Sequence, residues 1–181
     1  MGKIIGIVAV SPEGIIAIDN KMPWDVSEDL KYFKRTTHDS VVIMGRITWD
    51  SLNRTCLSNR INYVISKLSN YSLVANTSAQ VFTDIDFAIN EAQLKYPEKD
   101  IFIIGGASLY KQTLHIMDEL YISIINKENV NYCLGDRKYL EGYPNKIYNM
   151  FIEISSHIGS YATYQKYKRR TTNKINPTRL F

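Results

Sequence analysis

The chain has 181 residues, a formal net charge of +4 and 45% hydrophobic residues. That length suits one domain with a sizeable core, and the mild charge excludes both a disordered polyelectrolyte and a strongly basic nucleic-acid binder. Cys56 and Cys133 lie far apart with no CxxC, and His38, His115 and His157 do not cluster, which argues against a disulfide framework and against a metal site. No apolar run approaches the length of a membrane span. Residues 1–10 are too poorly punctuated for a signal peptide, and Gly6 stands where myristoylation needs Ser or Thr. A cytoplasmic protein is the expectation.

In chain order, the β-rich runs are Lys3–Val10, Val41–Met44, Asn62–Ser66, Val81–Thr83, Ile101–Ile104 and Leu120–Ile125. Near-continuous Ile and Val in three of them predict strands covered on both faces, as in a parallel sheet. Helical patterns fall between them. Ser27–Thr37 has Ser27 as a candidate N-cap, a second helix begins after Gly45, and Ala107–Ile116 forms another. Ile85–Tyr96 has Thr83 and Asp86 spaced as a capping box and Pro97 at its end. The alternation predicts an α/β fold, a single domain with a mostly parallel central sheet and flanking helices. The polar stretch 126–149 reads as loop. Met150–Gly159 and Ser160–Lys168 read as an antiparallel hairpin on the sheet edge, turning at Gly159-Ser160. The domain is expected to span 1–168, and 169–181 to form a basic tail whose composition favours a solvated end over an electrostatic contact.

Three places carry chemistry. Asp29 follows Pro23-Trp24 by five residues and shares a helical face with Phe33. It reads either as a first-turn acid on helix N–H groups or as a pocket carboxylate meeting a ligand. Gly45-Arg46-Ile47-Thr48 and Gly105-Gly106-Ala107-Ser108-Leu109-Tyr110 each follow a strand and open a helix, a setting that suits phosphate. Each alone is equally well a steric turn, since neither matches GxGxxG or Walker A. Together they favour a large phosphorylated cofactor such as a dinucleotide. Ser66-Lys67 pairs a hydroxyl with a cation at a third strand end, either a phosphate-monoester site or a polar strand terminus.

Taken in order, Ile7-Val-Ala9, the block Ala17–Thr37, Ile43-Met-Gly-Arg46 with Thr48-Trp49, Arg60, Ile104-Gly-Gly106 and Tyr110 resemble the dihydrofolate reductases over roughly residues 3–168. The resemblance implies reduction of 7,8-dihydrofolate to tetrahydrofolate with NADPH, a hydride going to C6 and a proton to N5. It implies that Asp29 grips the pterin and favours N5 protonation through water, with Ser123 bonded to the carboxylate and Trp24 helping to hold that water. Leu30, Phe33, Leu52, Leu57 and Ile104 would wall the substrate rings, Ile7 and Val8 would line the pterin end, Tyr110 would also contact substrate, and Arg60 would pair with the glutamate tail. Ala9 and Ile16 would contact the nicotinamide. Arg46, Ser66 and Lys67 would take the 2′-phosphate, with Gly45, Ile47, Thr48 and Thr83 nearby. Gly105 and Gly106 would form a cis-linked pair, and Ala107, Ser108, Leu109 and Tyr110 would cradle the pyrophosphate.

Two departures stand out. Ala17 replaces the family's usual Gly, and Ser58-Asn59 replaces Pro-Gly before Arg60. The implied partners are dihydrofolate, tetrahydrofolate and 2,4-diamino antifolates, with no metal, membrane or nucleic acid, and a monomer. The alternatives are a related pyrimidine reductase of riboflavin synthesis on the same fold, and a non-enzymatic basic binding or structural module.

Overall fold

The computed structural model describes residues 1–25, 27–68 and 78–171. Strand β1, Ile4–Val10, shows why the pattern reads as near-continuous apolar sequence. Ile4, Val8 and Val10 enter one core, while Ile5 and Ile7 enter the other. The same split occurs in β3 (Val41–Gly45), where Val41 and Ile43 oppose Val42 and Met44, and in β6 (Ile101–Ile103), where Phe102 faces away from its neighbours. A period of two with both faces apolar is the signature of a sheet covered on both sides.

The remaining strands are β2 (Ile15–Ile18), β4 (Ile61–Ile65), β5 (Gln80–Phe82), β7 (Glu119–Ile125), β8 (Arg137–Tyr139), β9 (Phe151–Ile158) and β10 (Ala162–Arg169). Among the described residues the main sheet runs β5-β4-β3-β6-β1-β7-β10-β9. It is parallel from β5 through β7, and β10 is antiparallel to both β7 and β9. Helices α3 (Ile85–Lys95) and α4 (Ala107–Thr113) cover one face; α1 (Ser27–Thr36) and α2 (Arg46–Ser51) cover the other.

Several expectations shift. The stretch 126–149 is not simply loop: it holds a 3-10 turn at Lys127–Asn129, strand β8 and the start of α5 (Asn145–Met150). Strand β8 is exposed at every residue and pairs with β2 through its backbone, so it leaves no alternation in the sequence. The cap of α3 is Asp84, not Thr83: its extended backbone (φ −131°, ψ 137°) lets the carboxylate accept from Phe87 N at 2.9 Å. Asp25 rather than Ser27 precedes α1 as an acceptor, taking Ser27 N and Oγ at 2.9 and 2.7 Å. The fold also runs past 168. Arg169 ends β10, its Nε donates to Met117 O at 2.5 Å, and Arg170 N donates to Met150 O at 2.9 Å. The expected tail from 172 onward lies outside the described residues.

Candidate active site

Parallel order brings the carboxyl ends of β4, β3, β6, β1 and β7 to one edge, where ligands of open α/β sheets bind. Helix α1 packs Tyr32 and Phe33 on the sheet face that carries Ile5 and Ile7. Its acids Glu28 and Asp29 sit in the first turn and Lys34 and Arg35 in the last, matching the helix dipole. Its one fully buried residue is Asp29, only 8% exposed. Burial pushes the Asp29 carboxyl above the usual aspartate range, while a hydrogen bond from buried Ser123 works the other way. Ser123 lies on β7, directly opposite Ala9 on β1 and Tyr164 on β10. Asp29 therefore keeps its first-turn place while its carboxylate meets Ser123 on the sheet.

Four tyrosines sense that charge. Burial raises Tyr110, Tyr32, Tyr161 and Tyr164, and Asp29 raises each further. Tyr110 is held by donating to Ile7 O at 2.7 Å. The last three were not anticipated. Tyr32 is one turn from Asp29 and Tyr164 is opposite Ser123, so helical spacing could have found the first, but only strand register finds the second.

Phe33, Leu52, Leu57 and Ile104 are half-buried and each packs against the core that holds Ile7, giving that core an apolar rim. Leu30 and Ile47 stay open at 45% and 53% exposure. Val8 departs from the expectation: its side chain enters the opposite core, because adjacent strand residues face opposite ways, so it offers the cleft only backbone. Ile16 packs partly against that opposite core as well. Trp24 lies in a third cluster with Ile125, Val130 and Ala162, against which Ala9 packs. Its buried Nε1 has no acceptor among the described residues, which suits a group that holds water.

Arg60 places its guanidinium 5.8 Å from the Phe33 ring centroid. Its buried Nε finds no partner, and it makes no ion pair among the described residues. An unpaired guanidinium beside an aromatic wall is fitted to a ligand carboxylate. The segment leading to it is pinned by buried Asn62, which sequence reading passed over. Asn62 Oδ1 accepts from Leu57 N at 2.9 Å, and Nδ2 donates to Leu57 O at 3.0 Å and Arg60 O at 2.9 Å. Asn59 adopts φ +58°, a left-handed conformation that Asn tolerates better than most residues, so it does the work expected of glycine. Ala17 sits in extended β2 opposite Lys138, where a side chain is accommodated.

The second half of the site is mostly backbone. Gly45 N donates to Gly105 O at 2.7 Å, joining the two glycine turns across β3 and β6. The Gly105–Gly106 peptide is cis, and Gly105 has φ +112°. A Cβ on Gly45 would meet Gly105 O at 3.6 Å and Gly106 N at 3.7 Å; one on Gly106 would meet Thr48 Oγ1 at 3.7 Å. Ala107 and Ser108 are accessible at the start of α4, whereas Leu109 and Tyr110 are buried in it. Ser66 N donates to Phe82 O at 2.9 Å, which sets exposed Thr83 near buried Ser66 and exposed Lys67. Arg46 is partly engaged, its Nη1 lying 3.0 Å from Asp50 Oδ2. This row of peptide groups with hydroxyls and cations at one end fits a long phosphorylated cofactor. No cluster of metal-binding side chains occurs among the described residues, and no described helix is long and apolar enough to cross a membrane.

A family model described as dihydrofolate reductase matches residues 3–156. The chain is similar to the dihydrofolate reductase of Buchnera aphidicola subsp. Acyrthosiphon pisum, with 34% identity over 172 residues covering 94% of this chain and 91% of that one. It is 37% identical over 126 residues to that of Mycoplasma genitalium, covering 69% and 78%. Among solved structures, the dihydrofolate reductase from Enterococcus faecalis complexed with NADP(H) and RAB-propyl aligns with a TM-score of 0.77 at 23% identity, covering 93% of this chain and 97% of that one. At that identity the likeness speaks for the fold.

Proposed function

The chain belongs to the dihydrofolate reductase family, and from that premise we propose that Asp29 is the single carboxylate at the reacting ring of its substrate. The reaction is the reduction of 7,8-dihydrofolate to 5,6,7,8-tetrahydrofolate by NADPH, in one-carbon metabolism. The pyrimidine-reductase and non-enzymatic alternatives are not favoured by these relatives.

When bound, NADPH supplies the hydride that C6 receives. The chain's own residues do the rest. Asp29 accepts hydrogen bonds from the pterin's 2-amino group and N3, and its negative charge favours a proton at N5. Ser123 orients the carboxylate, and Trp24 Nε1 holds the water that delivers the proton. Phe33, Leu52, Leu57 and Ile104 exclude bulk water from the ring, which strengthens that charge effect. Arg60 fixes the far end through the glutamate α-carboxylate. Gly45, Gly105, Gly106 and Ala107 offer backbone to the pyrophosphate, and Arg46, Ser66 and Lys67 take the 2′-phosphate. A cytoplasmic monomer completes this reading, in keeping with two free cysteines.

The observation that carries the role of Asp29 is its burial beside Ser123, in the cleft where Arg60 lacks a counter-ion. Protonated 2,4-diaminopyrimidines should meet the same carboxylate through charge-assisted hydrogen bonds. The test follows NADPH absorbance. The protein should oxidise NADPH only on addition of dihydrofolate, and Asp29→Asn should bind a diaminopyrimidine far more weakly. Equal affinity in both proteins would remove Asp29 from the pterin end.

A further inference from the structure

A second cleft is lined by neither Arg60 nor Phe33. It is a half-open groove of about 380 Å³ between α1 and the β9–β10 hairpin. Two regular patterns build it. On α1, Glu28, Lys31, Tyr32 and Arg35 follow the i, i+3, i+4, i+7 stripe of one helical face. On the hairpin, Tyr164 is directly opposite His157 and Lys166 directly opposite Ser155, so all four side chains rise from the same side of the sheet. The Tyr32 and Tyr164 rings meet at 4.6 Å and floor the cleft.

Its charge is lopsided. Glu28 is neutralised by Lys31 at 2.7 Å. Arg35 and Lys166 make no ion pair among the described residues. Lys166 Nζ rests 4.6 Å from the Tyr121 ring centroid, and the nearby Glu119 is held by Lys3 at 2.7 Å. Glu153, the acid on the hairpin, sits across from Tyr167 beyond the register shift and accepts from Gln165, on the side away from Lys166. Lys166 feels Glu119 at longer range and Asp29 lies behind the two tyrosines, yet two cations outside any close ion pair, an imidazole and a serine hydroxyl line one cleft over an aromatic floor. Guanidinium and ammonium donors with a hydroxyl match phosphate and carboxylate oxygens, and the volume suits a small molecule.

We propose that this cleft is a ligand site separate from the catalytic one, binding a small phosphate- or carboxylate-bearing molecule through Arg35, Lys166, His157 and Ser155. None of these residues takes part in the dihydrofolate chemistry, so the site stands or falls independently of that reading.

Proton NMR of the His157 imidazole gives a local readout, with His38 and His115 as internal controls. The probes are inorganic phosphate, uridine 5′-monophosphate and neutral uridine, added to the intact chain. A saturable shift of the His157 signals by phosphate or the nucleotide, with none from uridine, is the expected result. Tighter binding of the nucleotide identifies a nucleotide-like ligand, and equal binding identifies the free anion. In Arg35→Gln/Lys166→Gln the affinity should fall at least tenfold while turnover of dihydrofolate in phosphate-free buffer is unchanged. Arg35→Gln alone serves if the double variant does not fold. An unsaturable drift of the His157 signals, or equal affinity in wild type and variants, overturns the proposal.

Discussion

The two halves of the cleft are built from different material. On the proposed substrate side the working groups are side chains, each delivered by a different element: Asp29 by α1, Ser123 by β7, Tyr110 by α4 and Arg60 by the turn that Asn62 pins. On the proposed cofactor side the two glycine turns meet through a backbone hydrogen bond of 2.7 Å, and the neighbouring Arg46 is partly occupied with Asp50. The difference follows from the ligands. Placing charge at one ring atom requires a single desolvated group whose surroundings set its proton affinity. Holding an extended polyanion is better served by several fixed peptide dipoles.

That contrast can be tested by striking each half. Asp29→Asn should leave the fold intact yet lower kcat/KM for dihydrofolate by about 100-fold or more, the scale of a positioned acid–base group. NADPH affinity, read by fluorescence titration, should hardly move; a parallel loss would mean the halves are not separable. Arg60→Ala should raise KM by roughly 10- to 100-fold at nearly constant kcat, as expected for a hydrogen-bonded charge. A substrate lacking the glutamate should be indifferent to that change. On the other half, Gly105→Ala forces a side chain onto φ +112° with its Cβ 3.1 Å from the Tyr110 hydroxyl. Thermal unfolding should show a loss of about 1–3 kcal/mol, accompanied by weaker NADPH binding.

The smallest effect sharpens the comparison most. The Asp29 carboxyl is raised above its ordinary value of 3.8 by burial. The folded state therefore binds more protons than the unfolded state as pH rises from that value through the folded pKa, and stability falls across the window. Above it the buried charge is a standing cost, which Asp29→Asn removes. The variant should melt higher than wild type at pH 7, with the advantage shrinking below pH 4. An unchanged difference between the two pH values would contradict the burial assigned to Asp29.

Much of this was legible in the residues. Apolar strands covered on both faces, glycines at two strand ends and a lone acid beside an aromatic face each have a physical reason to look as they do in sequence. What escaped reading depends on pairings distant along the chain. Strand β8 is exposed and pairs only through backbone, so no hydrophobic period marks it. Asn62 acts through three bonds to main-chain groups nearby, and buried asparagines carry no pattern that announces this. The family resemblance puts Val8 at the pterin end beside Ile7, but strand geometry sends neighbours to opposite cores. Tyr164 reaches the Asp29 neighbourhood only because β10 lies next to β7.

The position of β1 also governs how the molecule is made. It is an interior strand, with Ile5 in register with Phe102 on one side and Glu119 on the other. Strand β1 thus has no sheet partner until about a hundred further residues have left the ribosome, a wait of roughly 5–20 s at typical elongation rates of about 5–20 residues per second. During that interval Ile4-Ile-Gly-Ile-Val-Ala-Val10 is an unpaired β-prone segment, the kind that aggregates or recruits a chaperone. Ile7 and Ala9 ride on that strand, so this part of the cleft takes shape late in synthesis, and a truncated nascent chain has a sheet with a gap at its centre.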